Sequence, residues 1–293
     1  MLQTQKVRNE VKTLVISDIH LGTKGSKAKE LVRFLKQYKC ENLILNGDIV
    51  DGWQLRKSGK WKKKHTRFFR RILVMIEEDN TKVHYLRGNH DDFLDQILPL
   101  NIGNLTIGRE LVYESFGKKY FITHGDIFDS ITTNFRWIAK LGDMGYTFLL
   151  WFNSQYNLYR RRRGKPYYSL SQLVKSKVKS AVSFIDDFEN ELSKIAKVKE
   201  CDGIICGHIH QPAIKNINDV IYMNSGDWVE SLSALVEDND GDWSLVYYTE
   251  TGGAQVKKFV SEQEDEKEIP LNPSLSGKIY PKLVSFLGSN GQI

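Results

Sequence analysis

Short apolar runs recur along this chain, and several of them end in a cluster of polar residues. The runs are short, continuous and rich in β-branched residues, so each is predicted to be a strand. The predicted strands are 13–17, 42–46, 83–87, 120–123 and 203–206. Apolar residues at helical spacing lie between the early runs, at 31–38 and 68–76. Strands that are apolar throughout and alternate with helices are typical of an α/β sheet covered on both faces.

The middle of the chain, from about residue 130 to 198, has a different pattern. It contains no predicted strand, its first part is aromatic, and its last part follows an amphipathic helical period through Phe188 and Leu192. We interpret it as a helical insertion within a domain that spans 1–252. Further strands are predicted at 213–216, 220–224, 232–237 and 243–249. The polar segment 253–293 is predicted to be a loosely ordered tail.

A polar cluster follows each of the first five predicted strands. The clusters are Asp18-Ile19-His20, Gly47-Asp48, Gly88-Asn89-His90-Asp91, His124-Gly125-Asp126 and Gly207-His208-Ile209-His210. A single cluster of this kind is more often a turn or a helix cap than a binding site. Ligands of α/β sheets, however, bind outside the carboxyl ends of the strands. Five clusters in that position predict one shared crevice, whereas His65 and His84 lie outside the pattern and are predicted to be structural.

The residue types in these clusters predict a pair of divalent metal ions. Asp18 and His20 are two residues apart, so on an extended strand end their side chains point to the same side, and His208 and His210 repeat this spacing. Carboxylates together with imidazoles suit Mn²⁺, Fe or Zn²⁺ better than Ca²⁺. Two neighbouring cations need a shared carboxylate to offset their repulsion, and Asp48 is the best placed. The predicted ligands are Asp18, His20, Asp48, Asn89, His124, His208 and His210.

Positive charge is concentrated in two runs that contain no acidic residue. The chain has a net charge of +6, with nine Lys or Arg in 53–71 and eight in 160–179. Such runs favour phosphates, nucleic acid or an anionic membrane surface as partners, although a solvated helix face gives the same pattern.

The cysteines and the apolar runs bear on where the protein works. The three cysteines form no CxxC pair, which is typical of buried free thiols in a reducing cytosol. Residues 1–12 lack the apolar region of a secretory signal. The apolar run 146–152 is far shorter than the ~18 residues that a transmembrane helix needs. We therefore expect a cytoplasmic protein that is either soluble or peripheral on the inner membrane.

The order and spacing of the five clusters resemble those of the calcineurin-like metallophosphoesterase superfamily, over about residues 13–250. The resemblance implies a four-layer αββα sandwich of two mixed sheets, with a helical insertion. It also implies how the ligands divide between the ions. One metal would be held by Asp18, His20, Asp48 and His210. The other would be held by Asp48, Asn89, His124 and His208.

Two metal ions predict hydrolysis of a phosphoester or diphosphate by a metal-bridging hydroxide, since paired ions stabilise both the attacking and the leaving oxygen. His90 follows Asn89 directly and is predicted to contact the phosphate or to protonate the leaving oxygen. Asp51 is predicted to orient His90 or to support the metal ligands. Manganese is the expected metal, with iron or zinc as the alternatives.

The segments 207–212 and 222–231 resemble a narrower group in that superfamily, the UDP-2,3-diacylglucosamine diphosphatases of lipid A biosynthesis. The insertion at 130–198 lies where that group carries a helical lid over the acyl chains of its substrate. A UDP-linked diacyl lipid at a membrane surface is therefore the expected substrate. Its predicted contacts are Trp151, Tyr156, Arg160 and Arg161. One position departs from the group, whose best-known members have Arg where this chain has His90.

Two other classes of function remain open from the residues alone. A metal-dependent nuclease or nucleotide phosphodiesterase would use the basic runs to hold a nucleic-acid backbone. The lack of a stacking-aromatic motif of a known nucleic-acid module disfavours that partner. A non-catalytic scaffold with a relic site would be expected to have lost at least one ligand, and the set here is intact. No protein partner is predicted.

Overall fold

Two mixed β-sheets with flanking helices make up the fold. This computed structural model describes the part of the chain that comprises residues 8–128, 160–163, 170–249 and 254–258. The strands of this part are β1 Asn9–Ile16, β2 Tyr38–Asn46, β3 Lys82–Leu86, β4 Leu100–Ile102, β5 Leu105–Gly108, β6 Glu110–Ser115, β7 Lys118–Thr123, β8 Gly203–Cys206, β9 Ala213–Ile217, β10 Val220–Asn224, β11 Ser233–Glu237, β12 Trp243–Tyr248 and β13 Ala254–Lys258. Its helices are α1 Ala28–Leu35, α2 Gly52–Ser58, α3 Lys63–Asp79 and α4 Leu170–Val198, with 3₁₀ segments at Asn89–Gln96 and Asp126–Phe128.

The chain divides into two units, Met1–Ser130 with Phe184–Phe259, and Ile131–Ser183 with Val260–Ile293. Both sheets belong to the first unit. The larger sheet has the order β13-β12-β11-β1-β2-β3-β5-β4, and the smaller sheet has the order β6-β7-β8-β10-β9. Strands β1, β2, β3 and β5 run parallel, as do β7, β8 and β10. The remaining pairs are antiparallel, so both sheets are mixed.

Alternate residues of the central strands enter two separate hydrophobic cores, because side chains along a strand point to opposite faces. Leu14 and Leu43 pack with Phe34 and Phe68 beneath α1 and α3. Val15 and Ile44, the next residues along β1 and β2, instead pack between the two sheets against residues of β7, β8 and β10. The first unit is thus layered as helices, large sheet and small sheet.

The C-terminal half of α4 covers the smaller sheet and completes the fourth layer. Its residues Phe188 and Leu192 are buried, and its Glu189 accepts hydrogen bonds of 2.8 Å from Lys215 of β9. Just beyond the helix, the Lys199 ammonium lies 4.3 Å from the centre of the Phe121 ring of β7. The helix–sheet–sheet–helix order implied by the family resemblance is therefore confirmed.

Most predicted elements are confirmed, and the exceptions have physical reasons. Strands β4, β5 and β6 were not predicted, because they are short and largely half-buried or exposed, so no continuous apolar run marks them. Of the segment 253–293, which was predicted to be a loosely ordered tail, the structure describes 254–258, where β13 pairs with β12 and extends the large sheet. His84 is structural as predicted, since its Nδ1 lies 2.8 Å from the Thr106 hydroxyl.

The predicted insertion lies mostly outside the described residues. Trp151 and Tyr156 fall there, so their predicted contacts stay predictions. Arg160 and Arg161 belong to a helical turn, 160–163, of the second unit. The three cysteines are buried as free thiols. Within the described ranges, no helix combines the length and apolar character needed to cross a membrane.

Replacing a residue between the two sheets should cost far more stability than replacing an apolar residue of a helix surface. Leu235 is fully buried between the sheets, whereas Leu73 of α3 is 61% exposed. We expect Leu235→Ala to lower the free energy of unfolding by roughly 2–5 kcal/mol, and Leu73→Ala by less than about 0.5 kcal/mol. Urea unfolding followed by circular dichroism measures both. Equal losses would contradict the layered core.

Candidate metal centre

The carboxyl ends of five strands meet at one edge of the two sheets. Strands β1, β2 and β3 reach this edge from the large sheet, and β7 and β8 reach it from the small sheet. Hydrogen bonds tie their loops together, from the Asp18 amide to the Gly47 carbonyl at 3.0 Å and from the Gly207 amide to the His124 carbonyl at 3.1 Å. The Asp18 carboxylate also accepts the His208 amide at 3.0 Å, which joins β1 to β8. The predicted convergence of the five clusters on one place is confirmed.

Five of the converging residues have left-handed backbone conformations. The φ angles are +52° at Asp18, +48° at His20, +53° at Asp48, +68° at His208 and +56° at His210. Such a conformation costs a non-glycine residue roughly 1–3 kcal/mol and is concentrated at functional sites. The predicted extended geometry for the Asp18–His20 and His208–His210 pairs is therefore wrong. The side chains still converge, but sharp bends beyond the strand ends bring them together.

Three overlapping groups of side chains have ligand atoms close enough to share a cation. They are Asp18, His20 and His210, then Asp48, His124 and His208, then His20, Asp48 and His90. In each group the atoms lie within 4.8 Å of one another. Each of the first two groups contains three of the four ligands predicted for one of the two metals.

Asp48 is a member of the second group and also lies close to the first. Its Oδ2 is 3.7 Å from His20 Nε2, and its Oδ1 is 3.4 Å from His124 Nε2. One carboxylate therefore faces ligands of both groups, which is the arrangement that a bridging ligand requires.

Unsatisfied polar atoms show that the site fits metal ions. Asp48 Oδ2, Asn89 Oδ1 and His124 Nε2 are among the buried polar atoms of the described residues that have no hydrogen-bond partner. A buried polar atom left unpaired costs about 1–3 kcal/mol. All three are atoms that coordinate divalent cations, so metal binding would remove this cost.

Neighbouring groups fix the orientation of the candidate ligands. His124 Nδ1 lies 2.9 Å from the Asn46 carbonyl, which leaves Nε2 directed toward Asp48. Asp51 is the N-cap of α2, where it accepts the Gln54 amide at 2.7 Å. The same carboxylate lies 3.6 Å from His20 Nδ1 and 3.2 Å from His90 Nδ1. Contacts of this kind set which ring nitrogen faces the metal or the substrate.

Two supporting residues received no role from the sequence. Asp91 accepts the amides of Ile49 and Val50 at 3.0 and 2.8 Å and the Tyr85 hydroxyl at 2.8 Å, which fixes the loop after Asp48. Burial, with the Asp48 charge, raises the pKa of Asp91 to about 6. The sequence could have pointed to Asp91, because it belongs to the Gly88–Asp91 cluster.

The second such residue is Arg87, whose guanidinium donates to Asp126 at 2.5 Å. This bond joins the loop that carries Asn89 to the loop that carries His124. Asp126 lies in the His124-Gly125-Asp126 cluster, but nothing in the sequence pairs it with Arg87.

The carboxylates and imidazoles of the centre shift one another's pKa values. Burial alone would raise the pKa of Asp18 and of Asp48, but nearby imidazoles hold both pKa values below the usual range. Burial alone would lower the pKa of the imidazoles, but Asp48 and Asp18 raise the pKa of His124 to about 10 and that of His210 to about 9. Without a metal, these two histidines therefore hold protons at neutral pH, which a cation must displace.

Comparison with known proteins identifies a family and several relatives of this chain. Residues 11–212 match the family model described as calcineurin-like phosphoesterase. A UDP-2,3-diacylglucosamine hydrolase of Aeromonas hydrophila is 22% identical, over 76% of this chain and 93% of the relative. One from Vibrio cholerae is 24% identical, over 80% and 96%. Among solved structures, the E. coli phosphoesterase Yfce is 16% identical, with 84% and 98% coverage and a TM-score of 0.43.

Metal binding should release protons from His124 and His210. At pH 7.5 both are protonated without metal, because their pKa values are raised to about 10 and about 9. We therefore expect loading with Mn²⁺ to release about two protons, and the apparent affinity to rise with pH until both groups titrate. Isothermal titration calorimetry in HEPES, PIPES and Tris measures the release from the buffer dependence of the enthalpy.

His210→Ala is the matched variant for this measurement. Its proton release should be lower by about one, because one of the two raised pKa values is removed. An enthalpy independent of the buffer, or an unchanged release in His210→Ala, would contradict the assignment.

Proposed function

The chain belongs to the calcineurin-like phosphoesterase family and is a phosphoester hydrolase, and we propose that its substrate is UDP-2,3-diacylglucosamine or a similar diphosphate-linked lipid. The observation that carries the chemistry is the pair of ligand groups around Asp48. Asp18, His20, Asp48 and His210 would hold one divalent ion. Asp48, Asn89, His124 and His208 would hold the other. Manganese is the proposed metal.

The side chains around the ions divide the work of hydrolysis. When bound, two metal ions supply positive charge that stabilises the attacking and leaving oxygens of an in-line displacement at phosphorus. His90 has its Nδ1 against Asp51, so its Nε2 is the nitrogen that faces the centre, 3.9 Å from Asp48 Oδ2. We assign His90 Nε2 to contact the phosphate or to give its proton to the leaving oxygen. Asp51 holds the ring in that orientation.

The lipid substrate is supported by the extent of the sequence similarity. The two hydrolases from Aeromonas and Vibrio align over at least three quarters of this chain and over nearly all of their own length. We propose that Trp151, Tyr156, Arg160 and Arg161 contact the acyl chains and the diphosphate. Such a substrate resides in a membrane, so we also propose peripheral association with the cytoplasmic face of an anionic membrane.

A comparison of three substrates tests the proposed function. The manganese-loaded protein is assayed on UDP-2,3-diacylglucosamine, on single-stranded DNA and on bis(4-nitrophenyl) phosphate, with Asp48→Asn as the metal-site control. We expect hydrolysis of the UDP-linked lipid to UMP and the acylated sugar phosphate. Hydrolysis of DNA alone would replace the proposal with a nuclease function. No activity on any substrate, with both metals bound, would favour a scaffold.

Replacing His90 should reduce turnover without loss of metal. We expect His90→Gln to lower kcat by roughly 10²- to 10⁴-fold, the usual contribution of a positioned acid. Asp51→Asn should lower kcat about 10- to 100-fold, because it only orients His90 and His20. Steady-state kinetics and metal analysis by mass spectrometry measure both effects.

His84→Gln is the matched control for these variants. His84 lies on β3 and bonds Thr106 instead of the centre, so its replacement should leave kcat within about twofold, as for sites away from function. Loss of a metal ion from His90→Gln would show that His90 is itself a ligand, as its group with His20 and Asp48 allows.

A further inference from the structure

An exposed tryptophan lies against the proposed acid of the centre. Trp53 is in the first turn of α2, and its ring centre is 4.4 Å from that of His90, with the planes inclined by 36°. Nevertheless, 45% of Trp53 remains accessible to solvent. A large aromatic side chain is thus presented at the edge of a polar catalytic centre.

Hydrogen bonds hold this tryptophan in place. Its Nε1 donates to Asp92 Oδ2 at 3.1 Å, and Arg56 donates to the other oxygen of the same carboxylate at 3.2 Å. Trp53 and Arg56 are three residues apart on α2 and therefore share a helix face. Asp92 lies two residues after His90, so these hydrogen bonds connect the Trp53 and Arg56 face of α2 to the segment that carries His90.

Close packing restricts the same helix further. A side chain on Gly52 would place its Cβ 2.8 Å from the Phe93 ring and 3.0 Å from the His90 carbonyl. Helix α2 therefore approaches the His90 segment as closely as a glycine allows. The indole is an immobilised platform, which loses little further conformational entropy when a ligand stacks on it.

An aromatic platform beside a guanidinium has a defined ligand chemistry. Aromatic rings stack on nucleobases, and arginine pairs with phosphate oxygens. We propose that Trp53 and Arg56 form a nucleoside-phosphate subsite at the edge of the metal centre. Trp53 stacks on the base, and Arg56 contacts the phosphate end of the nucleotide. The subsite rests on the proposed function, and it names the residues that would select the UDP part of the substrate.

A second tryptophan in the same basic run serves as a comparison. Trp61 is 43% exposed, similar to Trp53, but its ring lies 5.0 Å from His65 and 6.0 Å from Phe69 of α3. Its Nε1 donates to Thr66 of that helix at 2.9 Å. Trp61 therefore packs on α3 and contacts no group of the centre named above. Trp61 therefore has the same residue type and a similar exposure to Trp53, within the same basic run, but it does not lie beside His90.

Binding of two small phosphates tests the subsite without any turnover. UMP and ribose 5-phosphate are titrated into the manganese-loaded protein by calorimetry; they differ in the base. We expect UMP to bind roughly 10- to 100-fold more tightly, the usual contribution of one stacked base. Trp53→Ala should bring the ratio of the two dissociation constants close to one, and Trp53→Phe should restore most of it.

The other variants separate the two parts of the subsite. Arg56→Gln should weaken both ligands by a similar factor, because it removes the contact that they share. Trp61→Ala should leave both dissociation constants within about twofold, as for a surface residue outside the subsite. With UDP-2,3-diacylglucosamine, Trp53→Ala should raise KM more than it lowers kcat.

Two results would overturn the subsite. One is equal binding of UMP and ribose 5-phosphate to the unaltered protein. The other is a Trp53→Ala variant that keeps the ratio while kcat falls and its pH profile shifts, because Trp53 would then act only by positioning His90. If UMP is selected through Trp53 but the UDP-linked lipid is not hydrolysed, the subsite stands and the lipid substrate is wrong.

Discussion

The surrounding structure must provide counter-charges or cations for two buried carboxylates, those of Asp18 and Asp48. Both side chains are fully buried, and both are ionised because imidazoles surround them. Buried charges must be paired or must coordinate metals, since an isolated charge in a protein interior is very costly. The left-handed bends at the strand ends, the Asn46 carbonyl behind His124 and the carboxylate of Asp51 all serve to hold counter-charges or cations at these two groups.

Three glycines in the ligand loops follow from the same crowding. A side chain on Gly47 would collide with the His124 ring, one on Gly88 would approach that ring to 2.8 Å, and one on Gly207 would lie 2.6 Å from the Asp18 carboxylate. Gly47 also has a positive φ of +81°. Each glycine therefore makes room for a ligand on a neighbouring loop. Only Gly47 of the three also has a backbone conformation that favours glycine. The left-handed conformations of the ligand residues persist because hydrogen bonds between neighbouring loops hold the backbone in place.

The metal centre and its edge contribute different parts of the function. The centre supplies chemistry that suits many phosphoesters, and a fold of this kind does not by itself select one of them. Selection depends on side chains at the edge of the centre, where α2 places Trp53 and Arg56 on the segment that carries His90. His90 also belongs to this edge, because its imidazole packs against the indole of Trp53.

The local pattern of the sequence determined which residues would converge at one edge of the sheets, because each polar cluster directly follows an apolar run that favours a buried strand. It also determined the layered α/β class, since strand and helix periods are read over a few residues. Tertiary structure alone decided the left-handed bends at Asp18 and His208, the hydrogen bonds from the Ile49 and Val50 amides to Asp91, and the packing of the Trp53 ring against His90. Those features depend on contacts between residues that are distant in the chain, most of them on different loops, and such contacts leave no periodic signal in the sequence.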